Sequence, residues 1–305
     1  MPTAHTSIAP TNAATVLIAL LGWPVRHSAS PQFQNAALRA MGLNAMYMAF
    51  EVTPARFENA FRGLAALGAI GANVTIPHKE AAFALCDACT PEARLIEAVN
   101  TVTFADGRAH GANTDCHGIA AALAEEGVSF ADATLVLLGA GGAARGILAQ
   151  AILDGAARVV VVNRTLARAE ALIARLLDNC RRLPDTEQPR TLPVCQALPL
   201  ADLTAALPEA DILINATAVG LRADDPPLFD AALLNPRTVV YDTIYNPPQT
   251  RLLIDAKRRG CATTANGLTM LLHQGARAFE LWFERPAPLE LMRKAVEVSP
   301  ENEAY

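Results

Sequence analysis

The chain has 305 residues, 52% of them hydrophobic and 18% charged, and a net charge of −5 at pH 7. That length supports two domains of ordinary size, each with its own core, and the composition excludes long disorder away from the ends. The acidic balance argues against a nucleic-acid surface, which needs clustered Lys and Arg, and the apolar stretch Val16 to Trp23 is too short to span a bilayer.

Met1 to Ala14 has no basic region followed by an apolar one and makes a poor signal peptide. Val16–Leu21 reads as a buried strand, Pro31–Met41 as a helix, Met46–Glu51 as a strand, and Pro54–Leu67 as a helix with apolar residues at helical spacing. Ala72–Ile76 is a short strand, and Pro77 is expected in the first turn of the helix that follows, where proline is tolerated. Val99–Phe104 and Arg108–Gly111 bracket a hairpin turn at Ala105-Asp106-Gly107.

A second unit starts at the strand Thr134–Leu138. A Gly-rich turn, a helix over Gly142–Asp154, the strand Arg158–Val162 and a helix over Leu166–Asn179 follow, then a polar, Pro-containing loop through Pro193. Strands at Ile212–Ile214 and Thr238–Tyr241 extend the alternation, which implies a parallel sheet with right-handed crossovers. Helices Leu268–Phe283 and Pro288–Val296 close the chain.

Of the six cysteines, only Cys86 and Cys89 are close in sequence. With no second pair or His ligands nearby they read as packing residues at a helix end, reduced in a cytoplasmic protein. The six histidines show no ligand spacing, so no metal is expected.

Gly139-Ala140-Gly141-Gly142-Ala143-Ala144 directly follows a strand and opens a helix. The first glycine permits a tight turn, the second lets backbone N–H groups approach a pyrophosphate, and the small Ala144 lets helix and strand pack closely. About twenty residues on, at the end of the next strand, a dinucleotide fingerprint makes its ribose contact. Here that place holds Asn163-Arg164-Thr165, with Arg168 one helical turn further. An NAD site usually has Asp or Glu there. Two guanidinium groups and a hydroxyl suit a 2′-phosphate instead, so NADP is the expected cofactor. Lys79, at the head of its own helix, adds a proton donor for the alkoxide that hydride transfer to a ketone creates.

The chain resembles the shikimate dehydrogenases. The matching motifs occur in order and spacing: His27-Ser28-Ala29-Ser30-Pro31; Gly71-Ala72-Asn73-Val74-Thr75-Ile76-Pro77-His78-Lys79; Ala98-Val99-Asn100-Thr101; Asn113-Thr114-Asp115; the Gly139 loop; Asn163-Arg164-Thr165; Asn215-Ala216-Thr217; Tyr241-Asp242-Thr243-Ile244-Tyr245; and Gly267 to Gly275. The resemblance runs from Leu21 to Trp282. It implies two α/β domains: a substrate-binding and catalytic one with a mixed sheet, residues 1–115 joined by helices 268–305, and a Rossmann-like NADP-binding one with a parallel sheet, residues 116–267. Lys79 and Asp115 are implied as the catalytic pair, with Asp115 orienting the ammonium and also suited to cap the helix that follows. Ser28 and Ser30 would hold the carboxylate, Thr75, Asn100 and Gln274 would reach the ring hydroxyls, and Tyr245 would close the carboxylate end. Gly139, Ala140, Gly141, Gly142, Ala143, Asn163, Arg164, Thr165 and Arg168 would bind NADP, with Ala216, Thr217, Gly267 and Met270 along the nicotinamide.

Four positions depart from the family pattern: Gln34 replaces a histidine, Ala112 precedes Asn-Thr-Asp, and Cys116 and His117 follow Asp115. The implied activity is NADPH-dependent reduction of 3-dehydroshikimate to shikimate by a cytoplasmic monomer or homodimer with no nucleic-acid or membrane partner. A quinate/shikimate dehydrogenase using NAD or NADP, and a non-catalytic shikimate- or NADP-binding paralogue, stand as alternatives.

Overall fold

A computed structural model of the chain describes residues 11–189 and 191–297. The reading of Met1 to Ala14 falls mainly outside those residues, as does the end of the expected 268–305 segment. Two compact units are formed: one of the residues up to Ala93, Glu97–Thr114 and Gly275 onward, the other of Arg94–Ile96 and Asp115–Gln274.

The first unit begins with β1 (Val16–Gly22), α1 (Ser30–Ala40), β2 (Ala45–Glu51), α2 (Phe57–Ala66) and β3 (Gly71–Val74). It continues with α3 (Lys79–Leu85), β4 (Ala88–Cys89), α4 (Pro91–Ile96), whose last turn belongs to the other unit, β5 (Thr101–Ala105) and β6 (Arg108–Ala112). The sheet order is β2-β1-β3-β5-β6-β4. β1 runs parallel to β2 and β3, whereas β5 is antiparallel to both β3 and β6, so the sheet is mixed. Ala19, Leu21, Ala72, Val74 and Val102 bury against Phe57, Phe61 and Leu64 of α2. The β5–β6 turn needs only Asp106 and Gly107, at φ 52° and 71°. Two consecutive positive φ values are those of the type I′ hairpin turn, which suits Asp-Gly. At the sheet's β2 edge, the Asn35 amide of α1 donates to Tyr47 O (2.9 Å) and its Oδ1 accepts from Tyr47 N (3.0 Å).

Two helix starts differ from expectation. Pro54–Arg56 forms a 3₁₀ turn, and α2 proper begins at Phe57. Pro77 lies before α3, not in its first turn, and Lys79 is the first helical residue. Tertiary packing sets that start: His78 Nε2 lies 2.6 Å from Val52 O, and its ring stacks on Phe57 at 4.4 Å. Cys86 ends α3 and Cys89 sits in β4, their thiols hydrogen-bonded and packed against the same core.

The chain enters the second unit in α5 (Thr114–Glu125) and continues through β7 (Thr134–Leu138), α6 (Gly142–Leu153), β8 (Arg158–Asn163), α7 (Leu166–Arg182), β9 (Val194–Pro199) and α8 (Leu203–Ala206). Then come β10 (Ile212–Asn215), β11 (Val239–Asp242), α9 (Arg251–Arg259), β12 (Thr264–Asn266), α10 (Leu268–Phe283) and α11 (Leu289–Glu297). From Gly275 on, α10 and then α11 belong to the first unit. Every pair in the second sheet is parallel, in the order β12-β11-β10-β7-β8-β9. The order reverses between β7 and β10, the place where doubly wound sheets bind their ligands. β4, β9 and β12 were not among the expected strands.

Candidate active site

In the first unit, the expected substrate contacts gather at the carboxyl ends of β1 and β3. Gly22, which ends β1, leaves room for Thr75: a Cβ on Gly22 would lie 2.4 Å from the Thr75 methyl carbon. Thr75 N donates to Leu21 O (2.9 Å) and Thr75 O accepts from His78 N (2.9 Å), which sets Lys79 one residue further as the start of α3. Lys79 O accepts from Val99 N (2.9 Å) and Asn100 O from Val74 N (2.8 Å), so backbone bonds draw Thr75, Lys79 and Asn100 into one neighbourhood. Ser30 opens α1, and its N–H donates to Ser28 Oγ at 3.2 Å. That leaves the Ser28 hydroxyl proton free of this bond and able to meet an anion.

Asn100 is 3% exposed and its amide is fully oriented. Its Oδ1 accepts from Thr114 N (2.7 Å) and from the Thr101 hydroxyl (3.0 Å), while its Nδ2 donates to Thr114 Oγ1 (3.0 Å). A backbone N–H can only donate, so the side chain cannot flip without orphaning it. Asp115 is the next residue along. It stands in the first turn of α5, inside the helix and not at its cap, half-buried.

The second unit carries the nucleotide elements. Gly139 has φ 106°, and a Cβ there would lie 2.8 Å from Ala216 O, so this turn joins β7 to the β10 loop only as glycine. Gly141 caps α6 without a side-chain bond, and Cβ atoms on Gly141 or Gly142 would meet nothing within 4 Å. An uncapped twelve-residue helix start facing open space, extended by Ala143, fits a pyrophosphate group. At the end of β8, Asn163 Nδ2 donates to Thr165 O (2.8 Å), fixing the turn. Arg164 and Arg168 are exposed, and neither guanidinium has a hydrogen bond or ion pair among the described residues. These residues fit NADP: a cradle for the pyrophosphate, and two uncommitted cations where a 2′-phosphate would lie.

The loop after β10 is held from below. Asn215 Oδ1 accepts from Thr217 N (3.0 Å) and Thr217 Oγ1 (2.7 Å), and Ala216 N donates to Leu138 O (2.8 Å). Asn215 Nδ2 donates to the buried Asp242 (3.0 Å), which also accepts from Thr250 Oγ1 (2.6 Å) and Ile244 N (3.1 Å). Burial raises the Asp242 carboxyl above its ordinary value despite these donors. Burial also raises the Tyr245 hydroxyl, three residues beyond. Gly267 has no room for a side chain, since a Cβ would fall 2.0 Å from Thr243 O. Met270 N donates to Tyr241 Oη (3.3 Å), and Gln274 Nε2 turns back to Leu271 O (2.7 Å). Gly118 of α5 admits this part of α10, with Met270 O at 2.8 Å from a Cβ position.

Three of the four positions that depart from the family pattern have identifiable structural partners. Gln34 is 1% exposed and donates to Gly275 O at 2.8 Å. Cys116 is buried with its thiol toward Gly146 O, and Ala112 pairs with Thr101 across β5 and β6. The supporting residues Tyr47, Asn73, Thr101, Thr114, Asn215 and Asp242 were not singled out as site residues from sequence. The available signal was a polar residue inside an apolar strand, as with Asn73 and Asn215.

Three family models match the chain. The shikimate dehydrogenase substrate binding domain covers residues 20–102, shikimate / quinate 5-dehydrogenase covers 122–222, and the shikimate 5'-dehydrogenase C-terminal domain covers 267–297. The shikimate dehydrogenase (NADP(+)) of Methanopyrus kandleri is 45% identical over 93% of this chain and 96% of its own. The fold is similar to that of Listeria monocytogenes shikimate 5-dehydrogenase, solved with shikimate and NAD: TM-score 0.86, 34% identity, 94% of this chain and 98% of that one. The Thermus thermophilus enzyme with NADP(H) and shikimate gives TM-score 0.79 at 35% identity, over 93% of this chain and 99% of that one.

Proposed function

The chain belongs to the shikimate dehydrogenase family, and on that premise we propose that it catalyses the reversible NADPH-dependent reduction of 3-dehydroshikimate to shikimate, a step of aromatic amino acid biosynthesis. The observation that carries this reading is 45% identity, over 93% of the chain, to a relative named for that activity. The residues supply matching chemistry.

Bound at the Gly139–Gly142 turn, NADPH supplies the hydride that reduces the ring ketone. Lys79 gives a proton to the ketone oxygen as negative charge develops there, and takes it back in the oxidation direction. Asp115 orients that ammonium. Ser28 and Ser30 hold the carboxylate, with Tyr245 at the same end. Thr75, Asn100 and Gln274 take the ring hydroxyls, and the fixed amide of Asn100 supports its part. Arg164, Arg168 and Thr165 hold the 2′-phosphate beside Asn163, while Ala216, Thr217, Gly267 and Met270 line the nicotinamide. The substrate domain is residues 1–115 with the helices from 268 onward, and the NADP domain is 116–267.

The same reading takes a small molecule as the partner, and not nucleic acid, on the net charge of −5. It places the chain, as a monomer or homodimer, in the cytoplasm; the free thiols of all six cysteines support the compartment. Among the described residues, no helix is long and apolar enough to cross a membrane.

Reduced-nicotinamide absorbance, followed with shikimate or quinate and with NADP or NAD, tests the assignment. Turnover of shikimate with NADP well above the other three pairs is expected. Equal turnover of quinate, or a preference for NAD, would move the chain to the catabolic quinate/shikimate reading, and binding without turnover would make it a non-catalytic paralogue.

A further inference from the structure

The helix that carries Asp115 is seated between two others at close range. On one side of α5, the Cys116 thiol lies 3.5 Å from Gly146 O of α6, and a Cβ built on Gly146 would lie 3.5 Å from the Asp115 Cβ. On the other side, one turn of α10 lies over the bare, buried α-carbon of Gly118. A Cβ there would fall 2.8 Å from Met270 O, 3.0 Å from the Gln274 Cβ and 3.2 Å from Gln274 N. Asp115 and Gly118 are one turn apart on the same side of α5. Two turns beyond Gly118, Glu125 Oε1 meets His273 Nε2 at 2.8 Å, so α5 and α10 are tied at a second level.

Neither helix has room to retreat at this crossing. α10 is backed at its start by Gly267, where a Cβ would lie 2.0 Å from Thr243 O, and by Tyr241, whose Oη accepts from Met270 N at 3.3 Å. α5 is backed by α6 through the fully buried Cys116. An ordinary close carbon–oxygen contact is about 3.3–3.6 Å, so a methyl group at Gly118 forces the two helices apart by about half an ångström. Alanine is otherwise the better helix former, so this glycine weakens α5 while it admits the close approach.

We infer that Gly118 is a positioning residue for the reaction: having no side chain, it sets the distance between the helix bearing Asp115 and the helix bearing Gln274, so that the carboxylate and the ring-binding amide are held in one register. This rests on the roles proposed above for Asp115 and Gln274. Proton delivery tolerates little displacement, and a misplacement of about 1 Å costs about a hundredfold in rate. The pyrophosphate and 2′-phosphate contacts proposed for NADP belong to the Gly139 turn and the end of β8, outside this crossing.

Gly118→Ala adds only a methyl group. The expected result is a fall of about tenfold in kcat, as for half of that displacement, and a rise of about fivefold in KM for shikimate, as for one net hydrogen bond. The dissociation constant for NADP, measured by calorimetric titration without shikimate, should stay within about twofold of the parent, since its proposed phosphate contacts are untouched. A loss of folded protein alone would lower apparent kcat and leave both affinities where they were. In the Gln274→Ala background the same substitution should raise KM less than in the parent, because coupled residues are not additive. Gly63→Ala in α2, where a Cβ meets nothing within 4 Å, should leave all three constants at parent values. Should Gly118→Ala fail to fold, His273→Ala removes the second tie between the same helices without adding bulk and should give the same split in smaller measure. Parent-like kcat and KM in Gly118→Ala, or in His273→Ala where it stands in, overturns the inference. So does full additivity with Gln274→Ala, or an equal change in Gly63→Ala. Gln274→Ala and Asp115→Asn alone separate the levels: if the first leaves KM for shikimate and the second leaves kcat at parent values, the proposed site is wrong. If both act and Gly118→Ala does not, only the positioning role falls.

Discussion

Asn215 at the end of β10 and Asp242 at the end of β11 are joined by a 3.0 Å bond from Asn215 Nδ2 to Asp242 Oδ1, both side chains fully buried. The loop proposed to face the nicotinamide hangs from the other end of the same amide, through Thr217. A buried carboxyl of raised pKa thus holds the support of that loop.

Burial, the largest influence on Asp242, raises its pKa above the ordinary 3.8, offset in part by Thr250, Ile244 and Asn215. The folded chain then holds this proton more tightly than the unfolded one. The associated stability is present below the ordinary value and is lost as pH rises through the folded-state value. Urea melts of the parent between about pH 4 and 7 should show this loss, and Asp242→Asn should remove it. Equal pH slopes for parent and variant would rule the carboxyl out as its source.

Lys79→Ala should lower kcat by roughly two to four orders of magnitude, the range that a positioned proton donor supplies. KM for shikimate should change much less, because the proposed carboxylate and ring contacts fall to other residues. Steady-state kinetics in both directions measures this. Turnover within a few-fold of the parent would end the proton-donor role.

Replacing Arg164 and Arg168 together by Ala should raise KM for NADP far more than KM for NAD. A hydrogen bond to a charged group contributes about 1.5–3 kcal/mol, or tenfold to a hundredfold for each arginine. Both side chains are exposed, and solvent screening puts the effect at the lower end. Equal changes for the two cofactors would place the 2′-phosphate elsewhere.

Ser28→Ala should weaken shikimate binding by about 1 kcal/mol, below the usual range for a bond to a charged group, because the hydroxyl of Tyr245, proposed at the same end of the substrate, compensates in part. Calorimetric titration with shikimate and with NADP checks both halves of the expectation: a loss for the first and none for the second. Parent-like affinity for shikimate would mean that the carboxylate lies at another position.

Much of this was legible in the sequence for identifiable reasons. Asp106-Gly107 announces its turn because few other pairs accept two positive φ values in succession. Val159 to Val162 are all buried in β8, so their continuous apolar run stood out. β9 was missed because it lies at a sheet edge, where Val194 is 68% exposed and the strand ends on Pro199. β4 and β12 have two and three residues and no interior to give a pattern. The first helical residue of α3 depends on Val52 and Phe57 gripping His78, and the orientation of Asn100 on Asn73 and Thr114. Such pairings between distant residues leave no local signature.

The Asn35 side chain has one further effect. It meets Tyr47 as a neighbouring strand's peptide would, accepting from its N–H and donating to its C=O, although it belongs to a helix. β2 is the outermost strand on its side of the sheet, and such a border invites pairing with a stray chain. One amide thereby stands in for a seventh strand at that point and takes the Tyr47 main-chain groups out of reach of pairing with another chain.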